Sequence, residues 1–271
     1  MDNPCLSGSP HQVALKALFG LFGIYPAKAK KYKMLLQREK EREQCFRRME
    51  LLKVLPGVKA SFFAQNFEFS HSQFFQDLFV ASELGIKQGG FFVEVGACDG
   101  IRLSNTLFFE RQWAWPGILA EPGRSWQSAL KRNRKACIDP RAVWHTSGLK
   151  LLFNEPVSKE VSTLDQFSSD DFHADLRSDG VRYEVETVSL NDLLETHNAP
   201  EKIDYLSLDT EGSEYEILKG FDFQRRIVRC ITCEHNFTSN REKVFQLLTR
   251  QGYLRKYQEF SDCDDWYFLK E

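Results

Sequence analysis

No stretch of the 271 residues is both long and apolar enough to cross a bilayer. The most apolar run, residues 13–25, is short and holds Lys16. The first residues show no basic-then-apolar leader, so the expectation is a protein with no transmembrane segment, located in the cytoplasm. Internal repeats and low-complexity tracts are missing as well. A paired cysteine framework is lacking: the seven cysteines, at 5, 45, 98, 137, 230, 233 and 263, are odd in number and scattered. Several fall in expected strands, where a thiol behaves as a small hydrophobe, and a reducing compartment follows. Cys230 and Cys233 make a formal C-x-x-C. An offset of three in a strand sends the two side chains to opposite faces, which suits neither zinc nor a redox pair. Both common phosphate-binding fingerprints are absent. No G-x-G-x-x-G occurs, which weighs against a nicotinamide oxidoreductase, and no Walker lysine follows a glycine loop. Excess positive charge is also lacking over most of the chain. The net charge of −2 divides into +7 over residues 1–60 (12 Lys/Arg, 5 Asp/Glu) and −9 over the remainder (24 against 33). An acidic body excludes nucleic acid as the main partner, since phosphate binding needs clustered cations.

What is present is an ordinary globular composition, 42% hydrophobic and 27% charged, over a length that accommodates one large α/β domain and an extension. The division expected is a basic helical extension over residues 1–60 and a main domain over 61–271. Leu15, Leu18, Phe19 and Phe22 share one helical face, which packs on the domain by default and otherwise suits a membrane surface. Residues 28–55 read as a charged helix stopped by Pro56-Gly57, and residues 56–69 as a linker with a short strand.

The main domain is organised around FFVEVGACDG, residues 91–100. Phe91, Phe92, Val93 and Val95 make an apolar run broken only by Glu94, the pattern of a central parallel strand covered on both faces. Gly96 and Gly100 then permit a sharp turn whose N–H groups are expected to face a ligand at the strand's carboxyl end. A second short strand, Ile118-Leu119-Ala120, closes on Glu121, which lies 25 residues past Gly96. An acid roughly 20 residues after a glycine-rich turn is placed to accept hydrogen bonds from both ribose hydroxyls of a nucleoside.

These residues carry a resemblance. FFVEVGACDG, SNTLFFER (104–111), the W-x-G-I-L-A-E-P block (115–122) and IDYLSLDTEGSEYEILKGFDF (203–223) together resemble the FkbM-type S-adenosylmethionine-dependent methyltransferase family, over roughly residues 73–270. The resemblance implies a Rossmann-like class I methyltransferase fold: a largely parallel seven-stranded sheet with an antiparallel C-terminal strand and helices on both faces. It implies S-adenosylmethionine as cofactor, held by Glu94, Gly96, Ala97, Asp99 and Gly100 of the loop, by Asn105, by Glu121, and by Ala142 and Val143 beside the adenine. Many members follow the third strand with an acid near the adenine, and His145 stands in the comparable place here. Ser72-Gln73 and Gln76-Asp77 resemble the element preceding the glycine strand.

Along the rest of the chain, residues 73–83 and 126–133 read as helices and residues 141–144 as the third parallel strand. Residues 149–188 break the strand–helix rhythm and read as an added hairpin with a mobile acidic loop, suited to a substrate lid. A short helix over 192–197 follows. Strand four, 203–208, ends in Asp209-Thr210-Glu211-Gly212, and strand five, 228–233, in Glu234-His235-Asn236. Residues 252–269 read as two antiparallel edge strands.

In a doubly wound sheet these strand ends share one crevice, so Asp209, Glu211 and His235 are the expected catalytic groups, acting on a small-molecule or glycan-type acceptor. Asp209 with Glu234 or Asn236 would also suit Mg²⁺, by analogy with catechol-type O-methyltransferases. The metal-free version, with Glu211 or His235 as base, is the preferred reading. The competing reading of the chain is a non-catalytic interaction protein on the same fold.

Overall fold

The structure, a computed structural model, describes residues 26–270. The expected helical face of Leu15, Leu18, Phe19 and Phe22 lies outside them. The chain divides into two compact units, residues 1–64 and 65–271. In the first, helix α1 (Pro26–Val54) holds the charged segment and α2 (Gly57–Asn66) carries the chain toward the second. The expected linker over 56–69 is therefore largely helical. Pro56 lacks only a donor that a first turn leaves unused, and its carbonyl accepts from the Ala60 N–H at 2.9 Å. Phe62 and Phe63 are buried on this helix.

The second unit is built on a seven-stranded sheet. Its elements in order are α3 (Gln76–Glu83), β1 (Phe92–Val95), α4 (Leu107–Trp113), β2 (Gly117–Ala120), α5 (Gln127–Asn133), β3 (Cys137–Asp139), β4 (Ala142–Trp144), β5 (Lys150–Glu155) and β6 (Thr163–Leu164). They continue with α6 (Ala174–Arg177), β7 (Val181–Ser189), α7 (Leu190–Thr196), β8 (Lys202–Leu208), α8 (Glu214–Lys219), β9 (Ile227–Glu234), α9 (Asn240–Arg250), β10 (Tyr253–Lys256), α10 (Gln258–Ser261) and β11 (Asp264–Leu269). The main sheet runs β3-β2-β1-β8-β9-β11-β10. Neighbours from β3 to β9 pair in parallel, and β11 is antiparallel to both β9 and β10. This is the Rossmann-like doubly wound sheet with the expected antiparallel C-terminal strand. The order reverses between β1 and β8, where such sheets open a crevice at their carboxyl ends.

Alternation along β1 assigns its two faces. Val93 and Val95 enter a core with Leu206 and Leu208 of β8, and with Leu193 of α7, Ile217 of α8 and Leu248 of α9. Phe92 and Glu94 face the other way. There Arg134, after α5, lies 5.6 Å over the Phe92 ring, Phe109 of α4 meets Tyr205 at 5.5 Å, and Phe79 of α3 meets Trp266 at 5.0 Å. Helices thus cover both faces.

Three expectations need correction. The third parallel strand is Cys137–Asp139, whereas residues 142–144 turn away and pair with β7 in a second sheet ordered β4-β7-β5-β6. Trp144 explains the departure, because it joins Phe153, Leu164 and Val185 in that sheet's own apolar core. The added hairpin over 149–188 exists, as β5 antiparallel to β7, but its acidic stretch is not a loose lid. It is tied down by Arg177, whose side chain is fully buried. Finally, β11 is no edge strand. It lies between β9 and β10, with Trp266 and Tyr267 buried.

Candidate active site

The parallel strands deliver Gly96, Glu121, Asp209 and, after β9, His235 and Asn236 to one end of the sheet. Gly96 (φ +89°) is required there by close approach: a Cβ would lie 1.7 Å from the Asp209 carbonyl oxygen. The glycine turn does not present its N–H groups to a ligand as expected. Gly96 donates to the Ala120 carbonyl at 2.9 Å, Ala97 to the same oxygen at 3.3 Å, Gly100 to Ala97 at 2.8 Å, and Cys98 to the Glu121 carboxylate at 2.8 Å. The turn thereby fastens β1 to β2. Glu121 also accepts from the Gly123 N–H at 2.6 Å. Burial lifts its pKa to about 7, against the lowering effect of those two bonds.

Glu121 forms part of a cleft at the carboxyl ends of the strands, about 500 Å³ with its open mouth included. Gly96, Ala142, Val143, Asp209 and Glu211 line it too, so six of the expected site residues meet there. Sequence reading missed the walls supplied by Trp126, Phe153, Lys159 and Leu164. They come from the segment after β2 and from the second sheet, whose pairing no local pattern announces.

Other expected cofactor residues lie elsewhere. Glu94 is buried behind the crevice and accepts from the Asn105 N–H (2.7 Å), Thr106 Oγ1 (2.6 Å), Ser104 Oγ (3.0 Å) and Arg134 Nη1 (3.3 Å). Asn105 donates its amide to Ser207 at 2.9 Å, bracing β8 against the same network. Asp99 caps the turn by accepting from the Ile101 and Arg102 N–H groups, each at 2.8 Å. Ala97 is buried, and Gly100 faces Leu130 and Arg134, where a Cβ would collide. All five support the site from behind rather than line the cleft. His145 is exposed, and the acid that closes the true third strand is Asp139. It is already engaged by Arg141 (2.6 Å) and His197 (3.0 Å), and these bonds overcome burial to lower its pKa.

Asp209, Glu211 and Glu234 converge: one ligand atom from each lies within 4.8 Å of the others. Burial comes first in raising all three pKa values. Glu214 adds to the effect on Asp209, which reaches about 7, and Asp209 adds to the effects on Glu211 and Glu234. Like charges this close disfavour joint ionisation. One cation answers them. Arg177 Nη2 donates to Glu211 Oε2 at 2.8 Å, while its Nη1 binds Asp171 at 2.8 Å. Asn236 Nδ2 donates to the same Glu211 oxygen at 2.7 Å. Arg177 was not foreseen, although it is the one Lys or Arg in the acidic stretch 168–180. Backbone strain marks three strand ends here: Cys98, Glu211 and Asn236 hold φ of 47°, 39° and 42°. Such non-glycine conformations cluster where a site imposes them.

His235 does not join the cleft over Glu121. It lines a second cleft of about 1000 Å³, open solvent included, together with Glu234, Asn236 and Asp170. Its Nδ1 accepts from the Phe237 N–H at 3.0 Å, which leaves the proton on Nε2. Burial lowers its pKa to about 4. A ring whose basic nitrogen is occupied serves as a donor, so the expected role of base does not suit it. Asp209 and Glu211 line the first cleft and Glu234 the second, so the carboxylate group forms the partition between them.

Comparison with curated proteins finds no match. Among solved structures, the chain is similar to precorrin-6Y C5,15-methyltransferase from Geobacter metallireducens GS-15, at TM-score 0.39 and 10% identity, over 70% of this chain and 84% of that one. It is similar to the methyltransferase domain of METTL16 (TM-score 0.37, 13% identity, 70% and 78% coverage). It is also similar to a human methyltransferase 10 domain containing protein (0.34, 12%, 71% and 80%). Likeness of that degree carries no argument about the reaction. The family model is decisive: the methyltransferase FkbM domain matches residues 94–258, more than half of the chain and the whole span from the glycine strand to β10. With the strand order and the two converging clefts, that match places the chain in the FkbM methyltransferase-domain family, enzymes of S-adenosylmethionine-dependent methyl transfer.

Proposed function

We propose that the chain methylates a hydroxyl of a small-molecule or glycan-type acceptor, with the cofactor in the cleft over Glu121 and the acceptor in the cleft over Glu234. One observation carries this reading: the two clefts share a wall of three converging carboxylates, of which Glu211 and Glu234 are buried and Asp209 partly so. The first cleft fits S-adenosylmethionine by the chemistry of its lining. Glu121 offers ribose hydroxyls a strand-end acceptor, and Trp126, Ala142, Val143 and Leu164 offer the adenine an apolar slot. Bound there, the cofactor supplies an electrophilic methyl group on a sulfonium.

The chain's own residues then have three tasks. The clefts hold the two partners against one wall, which supplies proximity. Asp209, with a pKa near 7, takes the hydroxyl proton on a carboxylate oxygen as the acceptor reacts. Arg177 and Asn236 fix Glu211, so the base keeps its place beside it. A divalent cation on Asp209 and Glu234 is the second reading, favoured by the 4.8 Å convergence of the three carboxylates. The metal-free reading takes precedence because Arg177 already supplies positive charge to that group. A cytoplasmic setting completes the proposal.

The test is release of S-adenosylhomocysteine with a panel of hydroxylated small molecules and glycans. The rate should rise with pH through about 7, and Asp209→Asn should abolish turnover while leaving S-adenosylhomocysteine affinity within about twofold. Loss of activity on chelation, restored by Mg²⁺, would establish the metal reading instead. Wild-type protein that binds no S-adenosylhomocysteine would sink both.

A further inference from the structure

We infer that Lys159 reads the base of the cofactor, its ammonium donating to a ring nitrogen of adenine in the slot beside Trp126. The inference rests on the reading above, which puts S-adenosylmethionine in the first cleft. Lys159 opens a short 3₁₀ turn (Lys159–Val161) between β5 and β6, and among the described residues it is the one lysine or arginine lining that cleft. Its side chain is partly exposed, and its ammonium lies 5.7 Å over the Trp126 ring. Among the described residues no carboxylate stands within ion-pair distance of it. Glu155 lies within electrostatic reach, but its carboxylate accepts from the Tyr183 hydroxyl instead.

Strand order decides which part of the cofactor meets this lysine. Asp209, Gly96 and Glu121 follow β8, β1 and β2, which are neighbours in that order across the sheet. With the methyl group at Asp209 and the ribose on Glu121, the base continues past β2, toward Trp126, Ala142, Phe153 and Leu164. Ala142, Phe153 and Leu164 belong to one apolar cluster, which grips a flat ring without recognising its edge. The ring nitrogens of adenine are acceptors, so recognition needs a donor. The hydroxyls of the cleft are spent within the protein. Ser162 donates to the Lys159 carbonyl at 2.6 Å, Thr210 to Glu214 at 3.0 Å and Ser213 to Thr210 at 2.8 Å. Glu160, the next residue, pairs with Arg102. Lys159 keeps its donors, and the indole face behind it shields its ammonium from water, so an acceptor on the bound base counts for more. The cofactor's own carboxylate is the competing partner. On this strand order it lies on the far side of the ribose, toward Asp209.

Full-length wild-type protein and Lys159→Met, which keeps an apolar stem over Trp126, should be titrated by calorimetry with four ligands. These are S-adenosylhomocysteine and the three deaza analogues in which N1, N3 or N7 of the base is replaced by C–H. In the wild type, one analogue is expected to bind about tenfold more weakly than S-adenosylhomocysteine, the scale of one charge-assisted hydrogen bond. Lys159→Met should weaken S-adenosylhomocysteine by the same factor and bring that analogue level with it. Thermal midpoints of the two ligand-free proteins should coincide, because the Lys159 ammonium makes no ion pair with the described residues. Equal binding of all four ligands by the wild type, or a deaza loss that persists in Lys159→Met, overturns this inference and leaves methyl transfer standing. Equal weakening of all four by Lys159→Met, with 5′-methylthioadenosine unaffected, overturns it too. That ligand has the base but no carboxylate, so the lysine would then hold the amino-acid end. Wild-type protein that binds no S-adenosylhomocysteine removes the parent reading and this one with it.

Discussion

Replacing Glu94 separates a cofactor ligand from a structural brace. Its carboxylate is buried between Ser104, the Asn105 backbone, Thr106 and Arg134, all within 3.3 Å. Glu94→Ala removes the acceptor from three neutral donors and one guanidinium. Breaking a buried ion pair by deleting one partner costs about 3–5 kcal/mol. The lower end applies, because Arg134 keeps Glu110 at 3.0 Å and the Gly100 carbonyl at 3.2 Å. A loss of about 3 kcal/mol is therefore expected, and about 1–3 kcal/mol for Glu94→Gln, which preserves volume but loses charge and half its accepting capacity. Denaturant unfolding followed by tryptophan fluorescence reads this out, since all five tryptophans lie beyond residue 65 and report the second unit. S-adenosylhomocysteine affinity of the folded variant should change little. A variant of near wild-type stability that no longer binds S-adenosylhomocysteine would refute the reasoning and return Glu94 to the cofactor site.

Glu121→Ala should weaken S-adenosylhomocysteine by about 1–3 kcal/mol in calorimetry, the scale of a lost charged hydrogen bond; unchanged affinity would place the ribose elsewhere. Stability should depend on pH in an unusual direction. Burial, first among the causes, raises Asp77 to about 6 and Glu121 and Asp209 to about 7. The folded chain thus holds protons that the unfolded chain has already released, and thermal midpoints should fall from about pH 4 to about pH 7 and level off above; a rise across that window would contradict these environments. Deleting residues 1–55 should leave a chain that folds and binds S-adenosylhomocysteine, and an insoluble product would show that the first unit is needed.

The sheet was legible because its signals are local. Apolar runs at Phe92–Val95, Gly117–Ala120 and Lys202–Leu208, each followed by a small or acidic residue, mark covered parallel strands, and the structure places them side by side. The third strand was misplaced because Cys137–Asp139 is short and only partly buried, whereas the more apolar Ala142–Trp144 nearby is the better local pattern. Trp144 finds its partners, Phe153 and Leu164, beyond the reach of any window, and tertiary packing decided the matter. The carboxylates were found one by one, but not what governs them. Arg177 reaches Glu211 across 34 residues and Asn236 reaches it across 25, and nothing at either position distinguishes a buried anchor from a solvated polar side chain. The backbone at Cys98, Glu211 and Asn236 was equally unreadable, since a left-handed non-glycine residue carries no compositional mark. Each such residue costs on the order of 1–3 kcal/mol, and the surrounding structure must outweigh it. At Glu211 the outweighing contacts are visible: its carbonyl accepts from Thr163 at 2.8 Å and its carboxylate from Arg177 and Asn236. Thr163 of the second sheet, Arg177 of α6 and Asn236 after β9 together hold the strained turn after β8 in place, and with it the wall that the two clefts share.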